Sequence, residues 1–158
     1  MKKYILSIDQ GTTGTTSLLI DADNFQLVDK VNMEFPQIFP KPGWVEHNLN
    51  DIWKTVERST NEVLSNNNIQ PDQIKAIGIT NQRETTCAYT YDGKPLANAI
   101  VWQDRRTSTF CDEHRDRYSS LQKKTGLPLD PYFSGTKMRW LLDNNEAVKS
   151  AAESDNLR

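Results

Sequence analysis

Arg83 and Glu84 stand side by side in Thr80-Asn81-Gln82-Arg83-Glu84, directly after an apolar run holding Ile74, Ala76, Ile77 and Ile79. Polar side chains at the mouth of a buried strand cost desolvation unless they bind each other or a ligand. Arg83 offers a planar fork of donors and Glu84 two acceptor oxygens. That set matches a ligand with adjacent hydroxyls, each of which donates and accepts. The same two residues also fit a surface ion pair at a strand end, a common arrangement of small energetic value. Successive residues of a regular strand face opposite sides, so both can touch one ligand only if the chain leaves strand geometry at Gln82 or Arg83. Trp102 and Tyr132 are further candidates, and each fits core packing as well as a ligand wall.

A second cluster lies in Ile8-Asp9-Gln10-Gly11-Thr12-Thr13-Gly14-Thr15-Thr16. Gly11 and Gly14 let main-chain N–H groups converge, and the hydroxyls of Thr12, Thr13, Thr15 and Thr16 add donors around them. Converging donors without bulky side chains are what a phosphate needs. Asp9, at the end of an apolar run, is placed to hold Mg²⁺ through water, since that ion keeps most of its hydration shell. Neither the P-loop pattern nor the dinucleotide fingerprint occurs. The residues fit a Thr/Gly-rich hairpin, with Asp9 satisfying its turn, equally well.

These residues need elements to carry them. Residues 3–9, 16–21 and 26–35 read as strands joined by small polar connections, which predicts a meander of hairpins. Pro36, Pro40, Pro42 and Gly43 bar regular structure from the next segment, an ordered loop pinned by Phe39 and Trp44, with His47 fixing it. Asn50 suits a helix cap, and Ile52, Val56, Thr60, Val63 and Leu64 share one face of the helix that follows. Residues 74–80 read as a central strand buried on both faces. Residues 85–91 and 99–102 read as strands flanking a Tyr-Asp-Gly-Lys-Pro turn. A polar helix is predicted over 107–124, closed by Gly126 and Pro128. Ser134 caps a last helix through Met138, Leu141 and Leu142, after which the chain trails off. This order of elements is α/β or α+β.

Composition narrows the partners. The 158 residues carry 19 Lys and Arg against 21 Asp and Glu, with signs interspersed and no basic stripe, so nucleic acid and membrane surfaces are not expected partners. Four Trp, five Tyr and five Phe supply a core and argue against disorder. The opening apolar run stops at Asp9, too early for a signal peptide, and no stretch reaches membrane-spanning length. Cys87 and Cys111 are isolated and indicate neither a disulfide framework nor a metal site, so a cytoplasmic protein is expected.

Taken together, "DQGTTG", "FPKPGWVEHN", "AIGITNQRETT", "NAIVWQDRRT" and "GLPLDPYFSGTKMRWLLD", in this order, resemble the N-terminal part of the FGGY carbohydrate kinase family. Within it the "NQRE" segment is most similar to members that phosphorylate glycerol. The resemblance implies an α/β fold of the ribonuclease H-like, actin-type ATPase kind. It also implies one incomplete N-terminal domain over residues 1–158, without the second domain of the kinase. It implies ATP and Mg²⁺ as cofactors and the product sn-glycerol 3-phosphate. Gly11, Thr12, Thr13 and Gly14 match the phosphate hairpin, and Asp9 the residue that holds Mg²⁺ through water. Arg83, Glu84 and Tyr132 match hydrogen-bonding partners of glycerol, and Trp102 an aromatic wall. Thr16 stands where the family commonly has an Arg, which implies a weaker grip on phosphate. The general-base aspartate comes later in the family sequence, so the 158 residues alone are expected to be inactive. On the same resemblance the domain's last strand and helix lie beyond residue 158, and an exposed sheet edge makes a homo-oligomer the expectation. A kinase for another polyol or ketose, a non-catalytic binding module, and an actin-like assembly protein are the alternatives.

Overall fold

Along Tyr4–Gln10 (β1) Tyr4, Leu6 and Ile8 are buried at every second position, as the strand period of two requires when one face meets a core. The computed structural model describes residues 2–158. The chain divides into two units: one takes in the chain up to Pro36 and Asn50–Gln82, the other Gln37–Leu49 and Arg83–Arg158.

In the first unit β1 runs antiparallel to Gly14–Asp21 (β2), from Tyr4 opposite Asp21 to Gln10 opposite Thr15. β2 in turn pairs antiparallel with Leu27–Glu34 (β3). The expected meander is therefore present. A helix of 18 residues, Leu49–Asn66 (α1), crosses back, and Ile74–Asn81 (β5) pairs parallel with β1 in the strand order β3-β2-β1-β5. Leu6, Leu19, Val31 and Val63 are central to the core, with Val56 and Leu64 packed against it. A polar seam runs beside them: the hydroxyls of Thr15 and Thr55, and of Ser17 and Ser59, meet at 2.8 Å.

Two expectations change in this unit. The helix starts at Leu49, so Asn50 lies inside the first turn rather than capping it. β5 is not a central strand: it lies at the sheet edge with Ile77 59% and Ile79 73% exposed. An all-apolar run is the pattern of a strand covered on both faces, whereas here only Ile74 packs against the core and the rest of the strand is exposed.

In the second unit Glu46–His47 (β4) pairs with Ala99–Ile100 (β6). The proline-rich loop before β4 is pinned as expected by Trp44, which packs edge-on against Trp140 at 5.2 Å with the Arg106 guanidinium 3.8 Å above its ring. Buried Asp104 and half-buried Glu46 each bind that guanidinium at 2.8 Å. Phe39 is 68% exposed and pins nothing. His47 is buried with its Nε2 2.6 Å from Gln37 Oε1, which ties the loop down, and burial lowers its pKa to about 4.

The strands expected over 85–91 and 99–102 shrink to isolated bridges, such as Thr86 to Ile100, and to the two-residue β6. The polar helix expected over 107–124 is interrupted: Ser108–Glu113 (α2) ends at His114, a three-residue 3₁₀ turn follows, and Tyr118–Thr125 (α3) is closed by Gly126 at φ 75°. The break falls in Asp112-Glu113-His114-Arg115-Asp116-Arg117, which has no apolar side chain with which to bind a helix to the core.

Ser134–Asn144 (α4) forms as expected, although Phe133 rather than Ser134 holds the cap position. The chain does not trail off after it. Asn145 Oδ1 accepts the Val148 N–H at 3.0 Å and starts Glu146–Glu153 (α5), which buries Val148 and Ala151. Leu157 then bridges to Thr90.

Candidate functional site

In the turn after β5 Glu84 has a φ of 62°, which is left-handed and costs a non-glycine residue about 1–3 kcal/mol. β5 ends at Asn81, so the chain leaves strand geometry at Gln82, as expected, two residues before the left-handed Glu84. Two partners hold the turned residue. Glu84 Oε2 accepts both the N–H and the Oγ–H of Ser134 at 2.7 Å each. The carboxylate thereby satisfies one of the unpaired N–H groups that open α4, at the positive end of the helix dipole. The Glu84 carbonyl accepts the Lys137 Nζ–H at 3.1 Å.

Lys137 also donates to the Tyr132 carbonyl, and Asp130 Oδ1 accepts the Tyr132 N–H at 2.8 Å. The Tyr132 ring meets the Trp102 ring edge-on at 5.8 Å. Trp102 N–H donates in turn to Thr85 Oγ1 at 3.3 Å. The fold therefore brings Glu84, Trp102 and Tyr132 into one cluster, with exposed Arg83 next in the chain to Glu84. Acceptor, aromatic edge and phenol together can take a small ligand that presents hydroxyls and a short carbon skeleton.

Ser134, Lys137 and Thr85 belong to this cluster and were not among the sequence candidates. A signal existed: Ser134 and Lys137 are three apart and so share a helix face. A lysine near a helix start nevertheless reads as solvated. Here it is buried, and burial pushes its pKa down to about 8, against Glu84, Asp104 and Asp130, which raise it.

The second candidate is the hairpin of the first unit. Gly11 N–H donates to Gly14 O at 2.8 Å, so this donor is spent inside the turn. A Cβ on Gly14 would lie 2.6 Å from the Met33 carbonyl oxygen, so the glycine is required by the approach of β3. Thr15 faces α1, and Thr16 Oγ1 accepts from Asn32 Nδ2 at 2.8 Å. Asp9 is exposed at the end of β1, and Thr12 and Thr13 form the tip. Gln82 reaches this turn: its N–H donates to the Gln10 carbonyl at 2.8 Å, and its Nε2 donates to Gln10 Oε1 and the Gly11 carbonyl. The residue that precedes Arg83 thus braces the hairpin. Among the described residues no group of His, Cys, Asp and Glu could hold a metal ion by itself, Cys87 and Cys111 are free, and no helix is long and apolar enough to cross a membrane.

A family model for the N-terminal domain of the FGGY family of carbohydrate kinases matches residues 4–155. The chain belongs to this family. A glycerol kinase of Bacillus velezensis is 51% identical over 160 residues, covering 99% of the chain and 32% of the relative. The crystal structure of Plasmodium falciparum glycerol kinase with ADP superposes with a TM-score of 0.89 at 35% identity, over 99% of the chain and 32% of that protein. A gluconate kinase from Lactobacillus acidophilus gives 0.84 at 26% identity, over 94% of the chain and 30% of that protein. The FGGY chain described here thus spans about a third of the length of the curated relatives it matches. Its mixed α/β architecture is that of the N-terminal domain of the family.

Proposed function

We propose that this chain is part of an ATP-dependent glycerol kinase that forms sn-glycerol 3-phosphate and ADP. The supporting observation is the identity of 51% to a glycerol kinase, extending across 99% of the chain and so through Arg83, Glu84, Trp102 and Tyr132. In this reading Glu84 and Arg83 bind adjacent hydroxyls of glycerol, the Tyr132 phenol takes another, and Trp102 lies against the carbons. Glycerol has so few heavy atoms that, at a ceiling of about 1.5 kcal/mol for each, useful binding needs every hydroxyl paired. Groups that pair hydroxyls also reject analogues lacking one, because they are then left unsatisfied.

The hairpin Gly11, Thr12, Thr13 and Gly14 serves the nucleotide phosphates in the same reading. Thr16 Oγ1 accepts from Asn32 Nδ2 and keeps its own O–H to donate to a phosphate oxygen. The exposed carboxylate of Asp9 fits a hydrated Mg²⁺, which supplies charge neutralisation on the transferring phosphoryl group when bound with nucleotide. Phosphoryl transfer relies on positioning and charge stabilisation around a base-oriented hydroxyl. The family's general base is expected outside this chain.

A coupled ADP-release assay with glycerol, ATP and Mg²⁺ tests the reading. The full-length protein carrying this chain is expected to release ADP in proportion to glycerol, and the 158 residues alone to stay at the no-glycerol background. A second reading is a sugar-acid or ketose substrate, in line with the fold shared with gluconate kinase. Faster turnover on gluconate or xylulose than on glycerol would replace the first reading by the second.

A further inference from the structure

Lys137 heads the fully buried side chains by size, at 1% exposure. An amphipathic helix normally turns its lysines to water, because an enclosed ammonium loses hydration that its new partners must replace. Here those partners are two main-chain oxygens, of Glu84 at 3.1 Å and Tyr132 at 2.5 Å. Neither oxygen belongs to a helix or strand. Glu84 sits in a left-handed turn between β5 and the Thr86 bridge, and Tyr132 precedes the cap of α4. An apolar side chain of equal length would fill the space and leave both carbonyls without this donor.

We propose that Lys137 is the positioning residue of the polyol site: its ammonium ties the main chain at Glu84 to the main chain at Tyr132 and so sets where the Glu84 carboxylate and the Tyr132 ring stand toward the ligand. This rests on the assignment of Glu84 and Tyr132 to polyol binding. Ser134, one helical turn before Lys137, completes the device by holding Glu84 Oε2 from two donors. Oε1 takes no part in those bonds and is the oxygen turned over to a ligand hydroxyl. Charge adds to reach, since bonds from an ionised donor are stronger than neutral ones. Burial brings the ammonium down to about 8, so it is still largely charged at neutral pH, with Glu84, Asp104 and Asp130 favouring the charge and Arg105 opposing it.

The test compares wild type, Lys137→Met and Ser134→Ala in the full-length protein carrying this chain, with KM for polyol, KM for ATP, kcat and melting temperature measured for each. Lys137→Met is expected to raise the polyol KM about tenfold or more, as for loss of a buried charged donor, with the KM for ATP unchanged. Ser134→Ala keeps the ammonium, removes one donor to Oε2, and is expected to raise the polyol KM about threefold. A lysine that merely supports the fold would lower melting temperature and kcat while leaving both KM values alone, and that result overturns the proposal. If Lys137→Met does not fold, Lys137→Gln keeps part of the donor set. An unchanged polyol KM in both Lys137→Gln and Ser134→Ala then overturns it equally.

Wild type separates this proposal from the glycerol assignment. If it prefers another polyol, and Lys137→Met raises the KM for that one, the glycerol assignment falls and the positioning role stands. Normal glycerol kinetics in Lys137→Met do the reverse. Wild type that gives no thermal shift with any polyol overturns both.

Discussion

Histidine 47 shows what a single buried side chain commits the protein to. Its ring is fully enclosed beside Gln37, and burial lowers its pKa from the ordinary 6.5 to about 4. The unfolded chain therefore takes up a proton on this ring between pH 6.5 and 4 that the folded chain refuses. Stability from this group is complete above about pH 6.5 and drains away as pH falls toward 4, at up to about 1.4 kcal/mol for each unit. Urea unfolding at pH 7 and pH 5 is expected to show this loss in wild type and a flatter dependence in His47→Gln. Equal pH slopes in the two proteins would show that the ring is not the group that titrates. Glu84 makes a different point at the same scale. Its residue type and its neighbour Arg83 mark it in the sequence, whereas its left-handed backbone and its bonds to Ser134 are visible only in the folded chain.

At the scale of elements, the hairpin of β1 and β2 and the helix α1 make the most definite demands. Leu19 is fully buried in the core that this sheet and helix share. Leu19→Ala is expected to cost about 2–5 kcal/mol, read from the urea midpoint, with the spread set by how far α1 settles into the gap. Gly14→Ala is a backbone problem instead. Its Cβ would sit 2.6 Å from the Met33 carbonyl, so β3 must shift or the hairpin must open, at about 1–3 kcal/mol. A Gly14→Ala protein as stable as wild type would mean that β3 yields freely. The alternation along β1 and the 3.6-residue spacing along α1 made both elements legible. The break at His114 and the helix α5 were less so, because a short helix depends on its caps and contacts more than on periodicity.

The whole molecule carries a liability at β5. Ile77 and Ile79 are exposed on an edge strand, and an apolar edge presents unpaired main-chain groups to any other chain. The 158-residue chain expressed by itself is expected to sediment as oligomers whose size grows with concentration. Ile77→Lys combined with Ile79→Lys is expected to return it to a monomer, since edge charges oppose strand pairing. Identical sedimentation of the two proteins would remove this strand as the contact.

The amino-acid order by itself determined the meander and the placing of α1, and it supplied the residue types from which a hydroxyl-rich ligand and a phosphate are proposed. Each rests on a local period or on the chemistry of adjacent side chains, and both are written along the chain. Tertiary structure alone decided that β5 lies at an edge, that β3 approaches Gly14 too closely for a Cβ, and that Lys137 is buried between Glu84 and Tyr132. Those outcomes depend on which distant segments come to lie against a residue. No spacing within a single segment encodes that, because burial and hydrogen-bond partnership are properties of the packed chain.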